Sequence, residues 1–168
     1  VAIKVAFEKM IYVGDTIHVV PVRLDADKAR FEVAIGDTAV IAMEFERTTA
    51  TVRPTKSLDG EEAAPAVPAE LTFEEMEDQR GWIALPSSPI VERFPAAVAA
   101  LGAERVVALA RTSYLIGMVC PGLHSIFRGL HLSRVTPADG PSVLRFHVAY
   151  ADEDYRLIRL GVAGGGWN

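Results

Sequence analysis

One stretch, Tyr114–Leu130 (YLIGMVCPGLHSIFRGL), constrains this chain more than any other. It alone joins an apolar run, a Pro-Gly turn, the sole cysteine and a histidine. In Pro121-Gly122, proline holds one backbone angle and glycine permits the other, so the chain turns there. Leu123, Ile126, Phe127 and Leu130 then recur at helical spacing, which predicts a short buried helix starting at the turn. His124 is expected in its first turn, where free backbone N–H groups and the positive end of the helix dipole favour a carbonyl oxygen. That arrangement suits acyl chemistry.

The flanking regions alternate like β-ribbons. In Asp15–Leu24, Ile17 and Val19 fall on one side and His18, Val20 and Val22 on the other. Pro21 cannot donate to a ladder, so an edge position or a bulge is expected there. Phe31, Val33 and Ile35 share a face, Gly36-Asp37 reads as a two-residue hairpin turn, and Ala39, Ile41, Met43 and Phe45 return on one face with Glu44 and Glu46 opposite. This predicts an antiparallel pair with one wet face. A second hairpin is expected from Val143–Tyr150, a turn at Ala151–Asp154 and a return over Tyr155–Val162.

Between the ribbons, Arg53–Glu70 carries Pro54, Pro65 and Pro68 with acids among them, and reads as a linker. Leu71–Trp82 is acidic and half apolar and reads as a docking segment. Ser88-Pro89 starts a helix. Pro95 and Gly102 divide the helical stretch after it into short pieces, and Ala103–Leu115 is the most helical run, with Val106, Val107, Ala110 and Tyr114 on one face and Glu104, Arg105 and Arg111 outside. The expected organisation is therefore residues 1–52, a linker 53–70, and residues 71–168. The fold class is α+β, an antiparallel sheet packed on helix.

The 168 residues can hold one good core or two small ones. A net charge of −5, with no Lys/Arg cluster, argues against nucleic acid as the main partner. No apolar run is long enough to span a membrane and no signal-peptide pattern opens the sequence. One cysteine excludes an intramolecular disulfide, and the cytoplasm is the expected location. His18, His131 and His147 have no metal-ligand spacing and read as solvent-facing or structural, so neither a metal nor a cofactor is expected. Arg128 and Arg134 read as solvated, or as contacts for a phosphate.

The segment Leu115–Leu130, with the hairpin after it, resembles the MaoC-like hot-dog proteins, which include acyl dehydratases and R-specific enoyl-CoA hydratases. Tyr12-Val13-Gly14-Asp15-Thr16 and the strands after it resemble the closing strands of such a domain. The resemblance implies a curled antiparallel sheet around a central helix. Two arrangements stay open: a tandem (double hot-dog) chain, with 1–52 ending one unit and 71–168 beginning another, or a single unit formed from both parts. The family motif reads Ser/Thr-Gly-Asp-x-Asn-Pro-aliphatic-His. Here Leu123 and His124 match the last two positions. Gly122 stands in the proline slot, Pro121 in the asparagine slot, Val119 in the aspartate slot and Met118 in the glycine slot.

The resemblance implies a hydratase or dehydratase acting on 3-hydroxyacyl or enoyl thioesters of CoA or acyl carrier protein. It implies His124 as acid/base, Gly122 as a backbone oxyanion donor, and Cys120, Pro121, Ser125 and Tyr114 around the substrate. Hydration needs one group to activate water and another to protonate the α-carbon. With the aspartate absent, His124 acts alone or with an acid from elsewhere, such as Glu92 or Glu104. Judged by residue type alone, Cys120 reads as a small buried hydrophobe and Ser125 as a helix-start hydroxyl. A non-catalytic hot-dog module that binds acyl groups or braces a larger synthase is the alternative, and a hot-dog thioesterase is a third. The resemblance also implies a homodimer or an internal pseudo-dimer with a continuous sheet.

Overall fold

The computed structural model describes residues 1–48, 60–135 and 143–168. Its architecture is mixed α+β, with two mainly antiparallel sheets and few helices. The chain forms two compact units, Val1–Val52 with Phe127–Arg134, and Arg53–Ile126 with Val135–Asn168.

Unit 1 is built from strands β1 (Ala2–Phe7), β2 (Ile17–Leu24), β3 (Lys28–Ile35), β4 (Thr38–Glu46) and β7 (Gly129–Ser133), in the order β2-β3-β4-β1-β7. The register explains the alternation in the sequence. Leu132, Ile3, Phe45 and Ala29 stand in one row, Leu130, Val5, Met43, Phe31 and Pro21 in the next, and Phe7, Ile41, Val33 and Val19 in a third. Opposed residues share a face, so one side of this sheet is apolar. The other side carries the row His131, Lys4, Glu44, Arg30 and the ion pairs Lys28–Glu46 (3.0 Å) and Arg30–Glu32 (3.1 Å). The hairpin turns at Gly36, whose φ of 55° suits glycine. Pro21 lies on the edge strand where the register slips between Pro21 and Arg23, as a residue without an N–H requires.

Unit 2 holds β5 (Glu61–Glu62), α1 (Phe73–Glu77), β6 (Arg80–Ile83), α2 (Ser88–Arg93), α3 (Pro95–Leu101), α4 (Ala103–Tyr114), β8 (Leu144–Asp152) and β9 (Leu157–Ala163). Its sheet order is β5-β6-β8-β9. The core forms where Ile83 faces Leu144 and Gly81 faces Phe146, with exposures of 0%, 1% and 1% for Ile83, Leu144 and Phe146. Gly81 has to be glycine: a Cβ there would lie 2.5 Å from the Glu61 carbonyl oxygen and 3.4 Å from the Phe146 ring. Helix α4 contributes buried Val106, Val107 and Ala108 and packs on β8. Trp167 is buried and its indole N–H donates to the Arg105 carbonyl at 3.2 Å.

Four expectations need correcting. No helix follows Pro121-Gly122: residues 121–128 are irregular, and Leu130 belongs to strand β7. A short apolar run fits both periods, and five consecutive pairings of β7 with β1 outweigh the weak local helical preference. Residues 60–70 do not hang free. Glu61-Glu62 pair with Gly81-Trp82, and Ala63 N–H donates to the Trp82 carbonyl at 2.8 Å. The expected linker's residues 53–59 lie outside the described residues. Leu71–Trp82 is a helix and a core strand rather than a free docking segment. Thr72 and Glu75 cap α1 reciprocally, and these bonds hold the Glu75 carboxyl below its ordinary pKa. Arg111 is buried at 4% exposure, not outside, and one guanidinium N–H donates to the Leu85 carbonyl at 2.7 Å.

Candidate functional site

Helix α4 runs without interruption into a π-helical turn, Leu115–Val119. Wider turns of this kind recur at functional sites. Leu115 and Val119 are buried, Ile116 and Met118 are half-buried, and Gly117 is exposed with open space where a Cβ would be. The chain then reverses through Cys120-Pro121, a cis peptide bond, and Gly122.

The reversal is tied down group by group. Cys120 N–H donates to the Leu115 carbonyl at 2.8 Å, and Gly122 N–H to the Ile116 carbonyl at 3.0 Å. Ser125 Oγ lies 2.9 Å from the Ile116 oxygen and 2.7 Å from the Gly122 oxygen, so its hydroxyl closes the helix end. The segment before α1 runs alongside. Ala69 N–H donates to the Met118 carbonyl at 2.8 Å, and Leu123 N–H returns a bond to the Ala69 carbonyl at 2.7 Å. Tyr114 anchors the same segment, its phenol donating to the Pro65 carbonyl at 2.9 Å. At Gly122 φ is 79°, and a Cβ would stand 2.2 Å from the Ala69 oxygen.

Every predicted site residue thus lies in or beside this reversal, and each position has a chemical consequence. Cys120 is fully buried, and burial pushes its thiol up to about 11. A thiol so protonated at neutral pH is a poor nucleophile. Pro121 is half-buried and shapes the turn. Gly122 spends its N–H on Ile116, so in this conformation it is not open to an incoming carbonyl. His124 follows the C-terminal end of the helix, not the N-terminal end. The groups gathered there are carbonyl acceptors, and the dipole there is negative. Its backbone is left-handed, φ 66°, and its exposed side chain makes no hydrogen bond or ion pair among the described residues. Leu123 (43% exposed) and Ile126 (67%) flank it with apolar surface.

Neither candidate acid meets His124. Glu104 sits in the first turn of α4, and the helix rise sets it roughly 20 Å from the reversal. Glu92 is exposed on α2. A hollow of about 160 Å³ lies at the Glu104 end, lined by Leu101, Gly102, Ala103, Glu104, Arg105 and Gly165, and none of the predicted site residues borders it. Among the described residues no group of three or more His, Cys, Asp or Glu side chains could hold a metal ion, and no helix is long and apolar enough to cross a membrane.

Sequence reasoning missed the strap at Pro65–Ala69. Its only signal was the pair of prolines at positions 65 and 68, which reads equally well as linker. Compared with models of known protein families and with curated proteins, the chain matches none.

Proposed function

We propose that this chain is a hot-dog module of the MaoC-like kind that binds or positions an acyl thioester of CoA or acyl carrier protein without catalysing its hydration. The observation that carries the reading is the state of the motif histidine. His124 stands exposed past the carbonyl end of α4 and forms no ion pair with an acid among the described residues, although Glu70 pairs with Gly122 nearby, and buried Val119 fills the slot where the hydratase motif has its aspartate. A water-activating pair needs a base held against substrate and a second proton carrier. The exposed Leu123 and Ile126 beside His124 suit contact with an acyl chain. The fold part of the proposal draws on the order of elements: a central helix, a tight reversal, a strand entering an antiparallel sheet, then a hairpin.

A hydratase or dehydratase is the second reading. It is favoured by the exposure of His124, whose ring nitrogens engage no partner among the described residues. One experiment separates the two. A short enoyl thioester is titrated into the protein by calorimetry, and loss of its conjugated absorbance is followed in parallel. Saturable binding without turnover, in the parent and in His124→Ala, supports the module. Turnover that falls by about a hundred- to ten-thousand-fold in His124→Ala establishes the lyase instead. Neither binding nor turnover would overturn both.

A further inference from the structure

The sheet of unit 2 has a second face. Gly81, Ile83, Leu144 and Phe146 turn inward, so the residues alternating with them turn away from the core. Trp82, Arg145 and Ala163 stand in one row of that face, and Arg80, His147 and Gly161 in the next. An unbroken ladder would then set Ala149 opposite Arg159. The register slips between Val148 and Tyr150, and Tyr150 takes that place instead. A bulge re-aims a side chain in this way. The Arg159 guanidinium carbon stands 5.8 Å from the centre of the Tyr150 ring. Arg80, Tyr150 and Arg159 are exposed, and Trp82, Arg145 and His147 are half-buried. The His147 ring lies down against Gly161, where a Cβ would come within 2.2 Å of its Cε1. The acids of this face stand at its margins. Glu62 is beside Trp82 on β5, and Asp152, opposite Leu157, accepts from the Tyr150 hydroxyl at 2.6 Å. The charged face of unit 1 is neutralised in ion pairs, whereas Arg80 and Arg159 have none among the described residues.

We propose that this face binds single-stranded nucleic acid, with bases stacked on Trp82, His147 and Tyr150 and phosphates held by Arg80 and Arg159. An aromatic ring accepts the flat side of any base, and a guanidinium matches a phosphate with two parallel N–H groups. Both kinds of group alternate over the three central rows, which carry three arginines and no acid. The shape favours a strand over a free nucleotide. A small ligand is ordinarily enclosed in a cleft, and the hollow near Glu104 is lined by none of these six side chains. A duplex offers phosphates but keeps its base faces stacked inside. The arginines come from positions 80, 145 and 159, so no run of the sequence shows the cluster, and the net charge of −5 conceals it. Stacking and phosphate contact read neither base identity nor sugar, so RNA and DNA strands are expected to bind alike. The inference does not depend on the acyl reading.

The test is fluorescence anisotropy of a labelled mixed-sequence single strand of about 12 nucleotides, titrated with the full chain at roughly 50 and 200 mM salt. The parent is expected to bind, and more weakly at the higher salt. Arg80→Gln and Arg159→Gln, at exposed residues, should each reduce the slope of log affinity against log salt by about 0.7. Their circular dichroism and melting should stay those of the parent. Tyr150→Leu should weaken binding about fivefold or more and leave the salt slope as it was. Lys4→Gln, on the charged face of unit 1, should change neither. No binding at roughly 100 µM protein in the lower salt overturns the proposal. Binding indifferent to both arginine changes overturns it equally. If heparin, a polyanion without bases, or a DNA duplex competes as well as an unlabelled single strand, the rings do not stack on bases and the proposal fails.

Discussion

The two units use the same strand chemistry and bury it differently. Unit 1 consists of strands, with one apolar face and one charged face. Among its described residues only Ile3, Val33, Val40 and Leu132 are buried hydrophobics. Unit 2 backs a shorter sheet with helices, and its buried set includes Ile83, Leu144, Phe146, Val107, Leu115 and Trp167. A sheet alone buries a stripe, whereas a sheet with a helix across it buries side chains from both layers. Stability should therefore be concentrated in unit 2, and the edge of unit 1 should open most readily.

The strongest way to break that contrast is to empty both cores. Phe146→Ala should cost about 3–5 kcal/mol, and Val33→Ala on the unit 1 sheet roughly 1–3 kcal/mol. Denaturant unfolding with hydrogen exchange reads both, and amides of β8 should exchange more slowly than those of β2. Equal penalties, or better protection in β2, would refute the contrast.

Next in size is the reversal after α4. Gly122→Ala brings a Cβ into the Ala69 oxygen at a positive φ, and that oxygen is held by Leu123. A loss of about 1–3 kcal/mol is expected, since backbone strain here cannot relax into a flexible side chain. An unchanged melting temperature would mean that the strap at Pro65–Ala69 moves aside.

The last effect is confined to alkaline pH. Below pH 9 the Cys120 thiol is protonated whether the chain is folded or not, and pH leaves its contribution untouched. From the ordinary value of 9.0 up to about 11 the unfolded chain sheds the proton while the buried thiol keeps it, so stability falls with rising pH. The fall attributable to this group should be on the order of 2 kcal/mol by pH 11, and Cys120→Ala should remove that part of the slope. A slope the same in both proteins would show that the thiol is not sheltered.

Local chemistry was enough to read several elements directly. Gly36-Asp37 turns β3 into β4, Pro21 marks an edge with a bulge, Pro95 and Gly102 separate α2, α3 and α4, and Leu144–Ala163 is a hairpin. Each rests on backbone angles, a missing N–H or a strict alternation of two, properties carried by a few adjacent residues. The cluster of predicted site residues around Pro121-Gly122 was legible for the same reason. The direction of the helix was not. Leu123, Ile126, Phe127 and Leu130 fit a helical period, yet Leu130 pairs with Val5, more than a hundred residues away in sequence. Nor could spacing reveal that Arg111 would be buried, or that Ala69 would lean on Gly122 and close its N–H end against Ile116. These outcomes depend on which distant backbone groups find one another. A window of neighbouring residues carries the preference for a turn or a strand, but the choice between competing partners is made only when the whole sheet pairs.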